Sequence, residues 1–446
     1  EVAVVHPKKL HHFIGPETRA VGISSMDPLG IAYVSLTYSR LFTNGSEPNN
    51  RTEFRNLLLN TPITKARRSG QIKVIVGGAG AWQTAPQAIR EFLGIDCVIT
   101  GEGEGVAVDI FRRTLEGAPL PPVVQGKSPR KPEDIPLIRG ESVHGCVEIT
   151  RGCGRGCQFC TPTQRQRMSI PVDRVVQEVT VNASHGASMI VLATEDIFLY
   201  GLKSRQFRPN RERIVKLLEA ISSVPGIKAI QPAHMALAPV MADPKCVEEI
   251  AEILITKTSY QRRGKPYITA EAGVETGSTR LIKERMAGKA LPFKPKDWQE
   301  IVVQSFGILN DVDWNPLTTW IVGLPGEREE DVLATLELLD RLKGAIAFYV
   351  PLLFVPLRPS ILSEGSRPEV EGLSELQWEV FTRAWEYNLD IWRRPLSPSP
   401  RNLLSSLLLP IFGGLFYLTS ARRNPNGPMM KKLLFHSFKK AFLEPG

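Results

Sequence analysis

The stretch that decides the fold is "CVEITRGCGRGCQFC", residues 146–160, in which a short β-like run leads into three closely spaced cysteines. Cys153, Cys157 and Cys160 have the spacing C-x3-C-x2-C. A structural zinc site normally uses four ligands, so three thiolates on one loop would leave a zinc ion incompletely coordinated. Three cysteines also cannot pair evenly as disulfides. Thiolates are the usual ligands of iron–sulfur clusters, so the run predicts a [4Fe–4S] cluster with one iron open to another ligand.

The residues between the cysteines support this prediction. Gly152, Gly154 and Gly156 allow the backbone to wrap tightly around a cluster. Arg151 and Arg155 offset the negative charge of thiolates and sulfide. The agreement of spacing, glycines and position after a strand argues against a chance grouping of cysteines.

A series of β-like runs starts at the same place. They are "CVEITRGC", "SMIVLATED", "IKAIQPAHM", "YITAEAGVETG", "TTWIVGLPGE" and "AFYVPLLFVP", and stretches of helical character separate them. Six strand–helix units predict a partial (β/α)6 barrel over residues 146–360, with its reactive site at the C-terminal ends of the strands. Residues 361–446 are predicted to form a mainly helical C-terminal region with a basic tail.

The residues before the cysteines form another alternating pattern. The runs "VAVVH", "AVGISSM", "KVIVGG" and "DCVIT" end in small or polar residues, as buried parallel strands often do. They predict an α/β fold for residues 1–125, as a doubly wound, Rossmann-like domain. Residues 126–145 lie in a proline-rich stretch without periodicity and are predicted to be a linker.

Composition limits the class of protein. The chain has 446 residues, a net charge of +9 and only six cysteines, too few and too uneven for a secreted disulfide scaffold. No signal peptide is visible, and we expect a cytoplasmic monomer. The charge would allow an anionic partner, but no nucleic-acid-binding domain is recognisable, so nucleic acid is not expected.

The C-terminal region contains one strongly apolar segment, "LLSSLLLPIFGGLFYL", Leu403–Leu418. It is shorter than the roughly 20 residues that a spanning helix needs, and Pro410 interrupts it. The tail after it pairs Lys431 and Lys432 with apolar neighbours, as an amphipathic helix would. Peripheral contact with a membrane or an acidic protein is therefore open, as is a solvated helix face.

The cysteine loop resembles the signature of the radical SAM enzymes, which usually has an aromatic residue before the last cysteine, here Phe159. The resemblance implies that the open iron binds S-adenosylmethionine (SAM), whose reductive cleavage gives a 5′-deoxyadenosyl radical. It also implies an external electron donor. Cys153, Cys157 and Cys160 would be the cluster ligands and the catalytic centre.

Later strand ends resemble the SAM-binding motifs of that family. "ATEDIF" stands at the second-strand motif for the methionine amino group, although the usual Gly-Gly-Glu is altered. "AGVETGS" resembles the fourth-strand motif, and "IVGLPGE" resembles the sixth-strand turn beside adenine. The implied SAM-binding residues are Phe159, Thr194, Glu195, Asp196, Glu275, Ser278, Gly323, Leu324 and Pro325.

The loops "GISSM", "VGGAGA" and "TGEGE" resemble the cobalamin-binding branch of the radical SAM enzymes. The implied cobalamin contacts are Ser24, Ser25, Met26, Gly77, Gly78, Ala79, Gly80, Gly101, Glu102 and Gly103. The D-x-H-x-x-G motif that supplies a histidine to cobalt is absent, since the expected loop is "HPKKLHHFIG". His6, His11 and His12 are therefore expected to be surface or packing residues, and the resemblance implies that cobalt lacks a histidine lower ligand.

The resemblance implies a class B methyltransferase, which carries a methyl group from SAM through methylcobalamin to an unactivated sp3 carbon. A protein or peptide substrate is expected, with glutamine in methyl-coenzyme M reductase as a narrower suggestion. Tyr200, His234, Tyr267, Trp320 and Tyr349 are candidates for the substrate cavity.

Several alternatives stay open. They are a small-molecule methyltransferase acting on an antibiotic, lipid or tetrapyrrole precursor, a cobalamin-dependent cyclase or rearranging enzyme, and a non-catalytic iron–sulfur protein. A methylthiotransferase would need more cysteines near the N-terminus than Cys97.

Overall fold

The computed structural model describes residues 2–42, 47–202 and 207–392. The chain divides into two compact units, Glu1–Pro136 (the N-terminal unit) and Leu137–Gly446 (the barrel unit). The segment Leu403–Leu418 and the basic tail lie outside the described residues. Within those described ranges, no helix has both the length and the apolar character needed to cross a bilayer.

The N-terminal unit is built on a parallel sheet in the order β1-β2-β3-β4. Its strands are β1 (Ala20–Ser24), β2 (Lys73–Gly77), β3 (Cys97–Thr100) and β4 (Val123–Gln125). Its helices are α1 (Leu10–Phe13), α2 (Tyr33–Phe42), α3 (Asn49–Leu59), α4 (Pro62–Arg68), α5 (Gln87–Leu93) and α6 (Ala107–Leu115).

Side chains that alternate along β2 form two apolar layers, one on each face of this sheet. Val74 and Val76 pack with side chains from α3, α4 and α5, whereas Ile75 packs with Ile110 of α6. Helices therefore cover both faces, as buried parallel strands require. The predicted α/β fold, a parallel sheet with helices on both faces, is confirmed, and only its strand order, which follows the chain without a reversal, differs from that of a Rossmann sheet.

Two strand assignments also differ from the sequence prediction. Residues 2–6, "VAVVH", form no strand, and Val2 and Val4 are exposed, because no neighbouring strand pairs with them. The fourth strand is instead β4, which follows the prolines of "PLPP" and pairs with β3. Proline restricts the backbone to extended conformations, and these are compatible with a short edge strand.

In its described residues, the barrel unit has six parallel strand positions, which belong to two sheets in the orders β5-β8-β9 and β10-β13-β14-β15. Its strands are β5 (Cys146–Glu148), β6 (Thr150–Arg151), β7 (Met168–Ser169), β8 (Met189–Ala193), β9 (Ala229–Pro232), β10 (His234–Met235), β11 (Gln261–Arg262), β12 (Lys265–Pro266), β13 (Glu271–Glu275), β14 (Leu317–Val322) and β15 (Phe348–Leu353). Ala233 separates β9 from β10, which together make the third position. The predicted partial (β/α)6 barrel is confirmed.

Helices follow the barrel strands and end in a long C-terminal helix. They are α7 (Val172–Ser184), α8 (Arg211–Ser222), α9 (Leu237–Ala242), α10 (Pro244–Ile255), α11 (Thr279–Arg285), α12 (Trp298–Asp311), α13 (Glu329–Arg341) and α14 (Glu375–Trp392). In α13, Val332, Leu336 and Leu339 recur at helical spacing and are buried, which attaches the helix to the sheet. Asp331 accepts a hydrogen bond from the Arg328 amide at its N-terminus.

Residues alternate along each barrel strand between a helix-facing and a lumen-facing side. In β8, Ile190 and Leu192 are fully buried, whereas Met189, Val191 and Ala193 are partly exposed. Burying an aliphatic side chain contributes roughly 1.5–3 kcal/mol, so such alternation fixes the strand register. It also determines which side chains can reach a ligand in the lumen.

The last helix covers the outer edge of β15. The Asn388 carboxamide accepts a hydrogen bond from the Tyr349 amide and donates one to the Tyr349 carbonyl, both at 2.7 Å. A strand residue directs its N–H and C=O to the same side, so one side chain satisfies both groups.

Candidate active site

The cysteine loop lies between the two strands of a small antiparallel ribbon. Thr150 and Arg151 pair with Ser169 and Met168, so the loop starts and ends at one place. Gly152 has φ of +76°, and a Cβ there would lie 2.6 Å from the Gln166 carbonyl oxygen. A residue with a side chain would be strained and would clash, which explains the glycine at this position.

The three thiols of this loop influence one another, and Cys157 is buried whereas Cys153 and Cys160 are partly exposed. Burial raises the pKa of Cys153 to about 11. Burial, with the charge of Cys157, raises the pKa of Cys160 to about 12. Burial also raises the pKa of Cys157, which the Lys289 ammonium group opposes. Without metal these groups are protonated thiols, and iron would replace their protons on binding.

This donor set fits the predicted cluster, since three thiols of one loop interact electrostatically and lie beside cationic groups. Cys157 and Cys160 also affect the pKa of Lys289, and Arg155 influences Cys153 and Cys157. Among the described residues, no three His, Cys, Asp or Glu side chains are grouped so that they could hold one metal ion.

Arg155 connects the cysteine loop to two other parts of the barrel. Its guanidinium forms a 3.0 Å ion pair with Asp196, and it donates to the carbonyls of Gly288 (3.0 Å) and Leu291 (3.2 Å). The side chains of Arg155 and Asp196 are only 4% and 1% exposed. Phe207 covers the guanidinium at 4.6 Å from its ring centre. The pair therefore anchors the loop.

The second-strand loop brings Thr194, Glu195 and Asp196 next to the cysteine loop, but their environments differ. Asp196 accepts from Arg155 and from the amides of Phe198 and Ala236, so both of its oxygens are engaged. The Thr194 hydroxyl contacts the Thr150 hydroxyl. These contacts give Thr194 and Asp196 positioning roles.

Glu195 is the member of this group that could bind a ligand. Its Oε1 accepts a hydrogen bond from the Gly152 amide at 3.2 Å. Its Oε2 is buried, and the described part of the chain offers it no hydrogen-bond partner. Burial raises the pKa of this carboxyl. A buried acceptor without a partner costs free energy, so the site suits a cationic donor such as an ammonium group.

The end of β13 places Glu275 opposite a residue that the sequence analysis missed. Glu275 has φ of +68° and forms a 3.0 Å ion pair with Lys289, whose side chain is 13% exposed. Burial by itself lowers the pKa of Lys289, but the charges of Glu275 and Cys157 outweigh it and raise the pKa. A Cβ at Gly273 would lie 2.0 Å from Glu275 Oε1, so the pair occupies the space above this glycine.

The other residue of this motif, Ser278, has structural contacts. Its side chain accepts a hydrogen bond from the Leu281 amide and so caps α11. It also donates to Asp331, which in turn is paired with Arg280. Ser278 is 3% exposed. These contacts assign Ser278 to the connection between α11 and α13.

The turn "GLPGE" follows β14, which occupies the fifth strand position, so the prediction of a sixth-strand turn is wrong in its numbering. Gly323 has φ of +80°, and its amide donates to Glu327 at 2.9 Å. Leu324 is buried, and Pro325 is partly exposed. Phe159 is partly exposed in the cysteine loop. Four SAM contacts that the resemblance implies stay predictions, those of Phe159, Gly323, Leu324 and Pro325.

The structure does not support a cavity role for most of the predicted aromatic residues. Tyr200, Trp320 and Tyr349 are at most 4% exposed and pack in the core. Tyr267 precedes β13 and contacts the ring of Trp392, so it lies at the opposite end of that strand from the site. Helix-facing positions explain the burial of Trp320 and Tyr349, since alternate strand residues point away from the lumen. His234 remains at the lumen.

In the N-terminal unit, the loops after β1 and β2 lie against each other. The Gly80 amide donates to Ser25 at 2.9 Å, and the Ser25 amide donates to Gly77 at 3.1 Å. A Cβ at Gly80 would lie 2.3 Å from the Met26 carbonyl oxygen. Ser24 ends β1, and Gly78 and Ala79 are exposed.

The third predicted loop, Gly101 to Gly103, follows β3 at the same edge of the sheet. Gly101 is exposed, and Glu102 and Gly103 are partly exposed. Met26, Val34 and Val108 add exposed apolar side chains after β1 and β3, with Met26 81% exposed. Small residues and apolar side chains at a sheet edge fit a large flat ligand such as a corrin.

The loop after β1 also changes where a cobalt-binding histidine should be sought. Because residues 2–6 form no strand, "HPKKLHHFIG" is not the loop after the first strand. That loop is Ser25–Gly30, "SMDPLG", and it contains no histidine. Asp27 organises it by accepting from the Ile31 amide (2.9 Å) and from Gln83 (2.7 Å). The sequence signal for this turn, which the sequence analysis overlooked, is Asp27, the aspartate directly before Pro28.

Residues 147–339 match the family model described as the radical SAM superfamily. A protein of Methanocaldococcus jannaschii provisionally named a methylthiotransferase is 27% identical over 374 residues, covering 76% of each chain. The ribosomal protein uS12 methylthiotransferase RimO of Moorella thermoacetica is 26% identical over 305 residues, covering 65% of this chain but only 62% of that protein.

Among solved structures, the radical SAM methyltransferase TsrM of Kitasatospora setae, with cobalamin and a [4Fe–4S] cluster bound, has a TM-score of 0.52. It is 16% identical, and the match covers 80% of this chain and 68% of that one. At this identity the similarity shows a shared fold.

Proposed function

We propose that the chain is a cobalamin-dependent radical SAM C-methyltransferase, on the premise that residues 147–339 match the radical SAM superfamily model. Its substrate would be an unactivated sp3 carbon, in a residue of a protein or peptide. The observation that carries the methyltransferase proposal is the edge of the N-terminal sheet, where three small-residue loops and exposed apolar side chains suit cobalamin.

The cysteine loop supports the radical part of the proposal. Cys153, Cys157 and Cys160 would hold the [4Fe–4S] cluster, and its fourth iron would bind SAM. A cluster bound there would supply the electron for the reductive cleavage of SAM, and an external donor would be needed to reduce it. Arg155 holds the loop in place through Asp196, and Glu195 Oε2 is suited to accept a hydrogen bond from the SAM ammonium group.

The pair Lys289–Glu275 has two effects at this site. The ammonium group lies close enough to Cys157 and Cys160 to affect their protonation, and so it would offset thiolate charge. Glu275 holds this ammonium group at 3.0 Å and keeps it from turning away. Cobalamin, when bound by the N-terminal unit, would supply the methyl group for transfer.

Methylthiotransfer is the second candidate, because the two named relatives carry that activity in their names. Such an enzyme needs additional cysteines for a second cluster. Residues 1–136 contain one cysteine, Cys97, and its side chain is fully buried. This favours C-methylation.

The class of substrate is the least constrained part of the proposal. A glutamine of methyl-coenzyme M reductase is a narrower candidate within the class of protein substrates. Methylation of small antibiotic, lipid or tetrapyrrole precursors and cobalamin-dependent ring formation would use the same cofactors. These options differ in their products, so product analysis separates them.

The test is anaerobic reconstitution of the full chain with iron, sulfide and cobalamin, followed by SAM, reductant and candidate peptides. We expect bound cobalamin, and S-adenosylhomocysteine and 5′-deoxyadenosine formed together with a methylated product. A product that gains a methylthio group would replace this proposal with the second candidate. Cys157→Ala should abolish SAM cleavage, whereas Cys146→Ala, at an exposed cysteine outside the loop, should retain it.

A further inference from the structure

One carboxylate connects the two loops that follow β1 and β2. Asp27, in the loop after β1, accepts hydrogen bonds at Oδ1 from the amides of Ile31 (2.9 Å) and Ala32 (3.1 Å). The same oxygen accepts from the Gln83 carboxamide at 2.7 Å. Gln83 lies after β2, and its own oxygen accepts from the Leu29 amide at 2.8 Å. Oδ1 of Asp27 therefore has a complete structural role.

The second oxygen of this carboxylate has no such role. Oδ2 of Asp27 is buried, and it has no hydrogen-bond partner among the residues that the structure describes. A buried acceptor without a donor costs free energy, and native proteins rarely leave one. Asparagine would connect the loops equally well, since its side-chain oxygen can accept the same three hydrogen bonds. The contacts of the two loops thus do not explain why a carboxylate stands at this position.

The surroundings of Asp27 point to a ligand at the edge of the N-terminal sheet. Its neighbour Met26 is 81% exposed. A Cβ at Gly80 would lie 2.3 Å from the Met26 carbonyl oxygen and 2.5 Å from Pro28, so the loop after β2 packs against both neighbours of Asp27. Asp27 as a whole is partly exposed, so a donor can reach Oδ2 after a small shift of the loop.

A corrin ring carries donors of the kind that this oxygen lacks. Acetamide and propionamide side chains surround the macrocycle, and their NH2 groups donate hydrogen bonds. A hydrogen bond from an amide to a carboxylate is stronger than one between two neutral groups. The exposed apolar side chains of this edge suit the flat macrocycle, whereas a buried carboxylate oxygen suits its polar rim.

We propose that Oδ2 of Asp27 accepts a hydrogen bond from a carboxamide of the corrin, while Oδ1 holds the loop after β1 in place. The inference rests on the proposed function in one respect, that this edge binds cobalamin. It adds a residue that determines specificity, since Asp27 selects corrins whose side chains are amidated. A corrin with a carboxylate at the same place would bring a second acceptor and a like charge against Asp27.

The test measures the binding of hydroxocobalamin to the cluster-free full chain by equilibrium dialysis. Asp27→Asn keeps the oxygen for the three structural hydrogen bonds and places an NH2 group where Oδ2 lies. We expect its affinity for cobalamin to be about tenfold to hundredfold lower than that of the parent chain. The second probe is cobyrinic acid, in which carboxylates replace the carboxamides. Its affinity should not fall, since the new NH2 group can donate to a carboxylate.

The matched control is Asp109→Asn, which removes the same charge from an exposed residue in the first turn of α6. It should leave the affinity for cobalamin unchanged, and it reports any general effect of charge on the binding of cobyrinic acid. The melting temperature of the cofactor-free Asp27→Asn chain should equal that of the parent chain, because the loops keep their contacts.

Two results would overturn the proposal. One is an equal affinity of the parent chain and Asp27→Asn for cobalamin, and the other is an equal loss of affinity for both corrins, which would assign Asp27 to the loops alone. A parent chain that binds no cobalamin would refute the proposed function, and this inference with it. Because binding is measured without the cluster, the result does not depend on whether methyl transfer is found.

Discussion

Replacing Asp196 by asparagine should destabilise the barrel unit before any cofactor binds. Asp196 accepts hydrogen bonds from the amides of Phe198 (3.1 Å) and Ala236 (3.0 Å) and forms the ion pair with Arg155. Asparagine has almost the same shape and retains an oxygen for the two amides. It removes the negative charge, and its NH2 group would face the donors of the guanidinium.

The size of the effect follows from burial. The Arg155 side chain is 4% exposed, so its charge cannot gain hydration when its partner is lost. Removing one member of a buried ion pair costs about 3–5 kcal/mol. Arg155 keeps its hydrogen bonds to the carbonyls of Gly288 and Leu291, so we expect a loss of about 3 kcal/mol, at the lower end of that range.

Urea denaturation of the cofactor-free chain, followed by tryptophan fluorescence, measures this loss. Trp82 lies in the N-terminal unit, and the other tryptophans of the sequence lie in the barrel unit, so the signal reports mainly on the latter. The control is Glu300→Gln, which breaks a 2.7 Å pair with Arg341 whose side chains are 50% and 40% exposed. Exposed pairs contribute about 0–1 kcal/mol.

If Asp196→Asn is no less stable than Glu300→Gln, the buried ion pair does not anchor the loop and our reasoning fails. If Asp196 served only to bind SAM, its loss would affect ligand binding and leave the unfolding of the cofactor-free chain unchanged. Asp196→Asn would then be as stable as Glu300→Gln. The measurement therefore separates the positioning role from the role that the family resemblance implies for Asp196.

Three further predictions use matched variants. Gly273→Ala should weaken SAM binding in titration calorimetry and lower the free energy of unfolding by about 1–3 kcal/mol, because its Cβ would lie 2.0 Å from a carboxylate of the buried ion pair. Gly307→Ala, whose Cβ would have nothing within 4 Å, should change neither quantity. Gly80→Ala should lower the melting temperature and the cobalamin retained after gel filtration, whereas Gly15→Ala, in open space and outside the implied cobalamin contacts, should change neither. Burial raises the pKa of Glu327 above its usual 4.5, so the folded state loses stability as pH rises from 4.5 through the raised pKa. Glu327→Gln should therefore have a higher melting temperature than the parent chain near pH 7, and this difference in melting temperature should vanish near pH 4.5.

The features that could be predicted from the sequence are those that depend on the local spacing of residues or on long apolar runs. The three cysteines lie within eight positions, so their common loop follows from the chain itself. The six barrel strands are buried parallel strands, which appear in sequence as apolar runs. The same rule failed for "VAVVH", because an apolar run becomes a strand only if a neighbour pairs with it.

Contacts between distant residues could not be predicted in this way. Arg155 and Asp196 are separated by 41 positions, and although Arg155 stands out by its place in the cysteine loop, the sequence contains nothing that indicates Asp196 as its partner. Lys289 follows Glu275 by 14 positions in a segment without a motif. Their roles depend on how the strand ends converge, which only the fold determines. The assignments of Thr194, Asp196 and Ser278 to SAM stay predictions, to which the structure adds competing structural roles.

The Asn388 carboxamide has a consequence for how far the barrel can extend. A closed barrel would need a seventh strand along β15, and that strand would have to bond the Tyr349 amide and carbonyl that Asn388 occupies. Among the described residues, one side chain thus ends the β10-β13-β14-β15 sheet at β15 and protects this part of its edge from pairing with another chain. An enzyme that must admit a bulky substrate from the side can in this way keep its opening as a permanent part of the architecture.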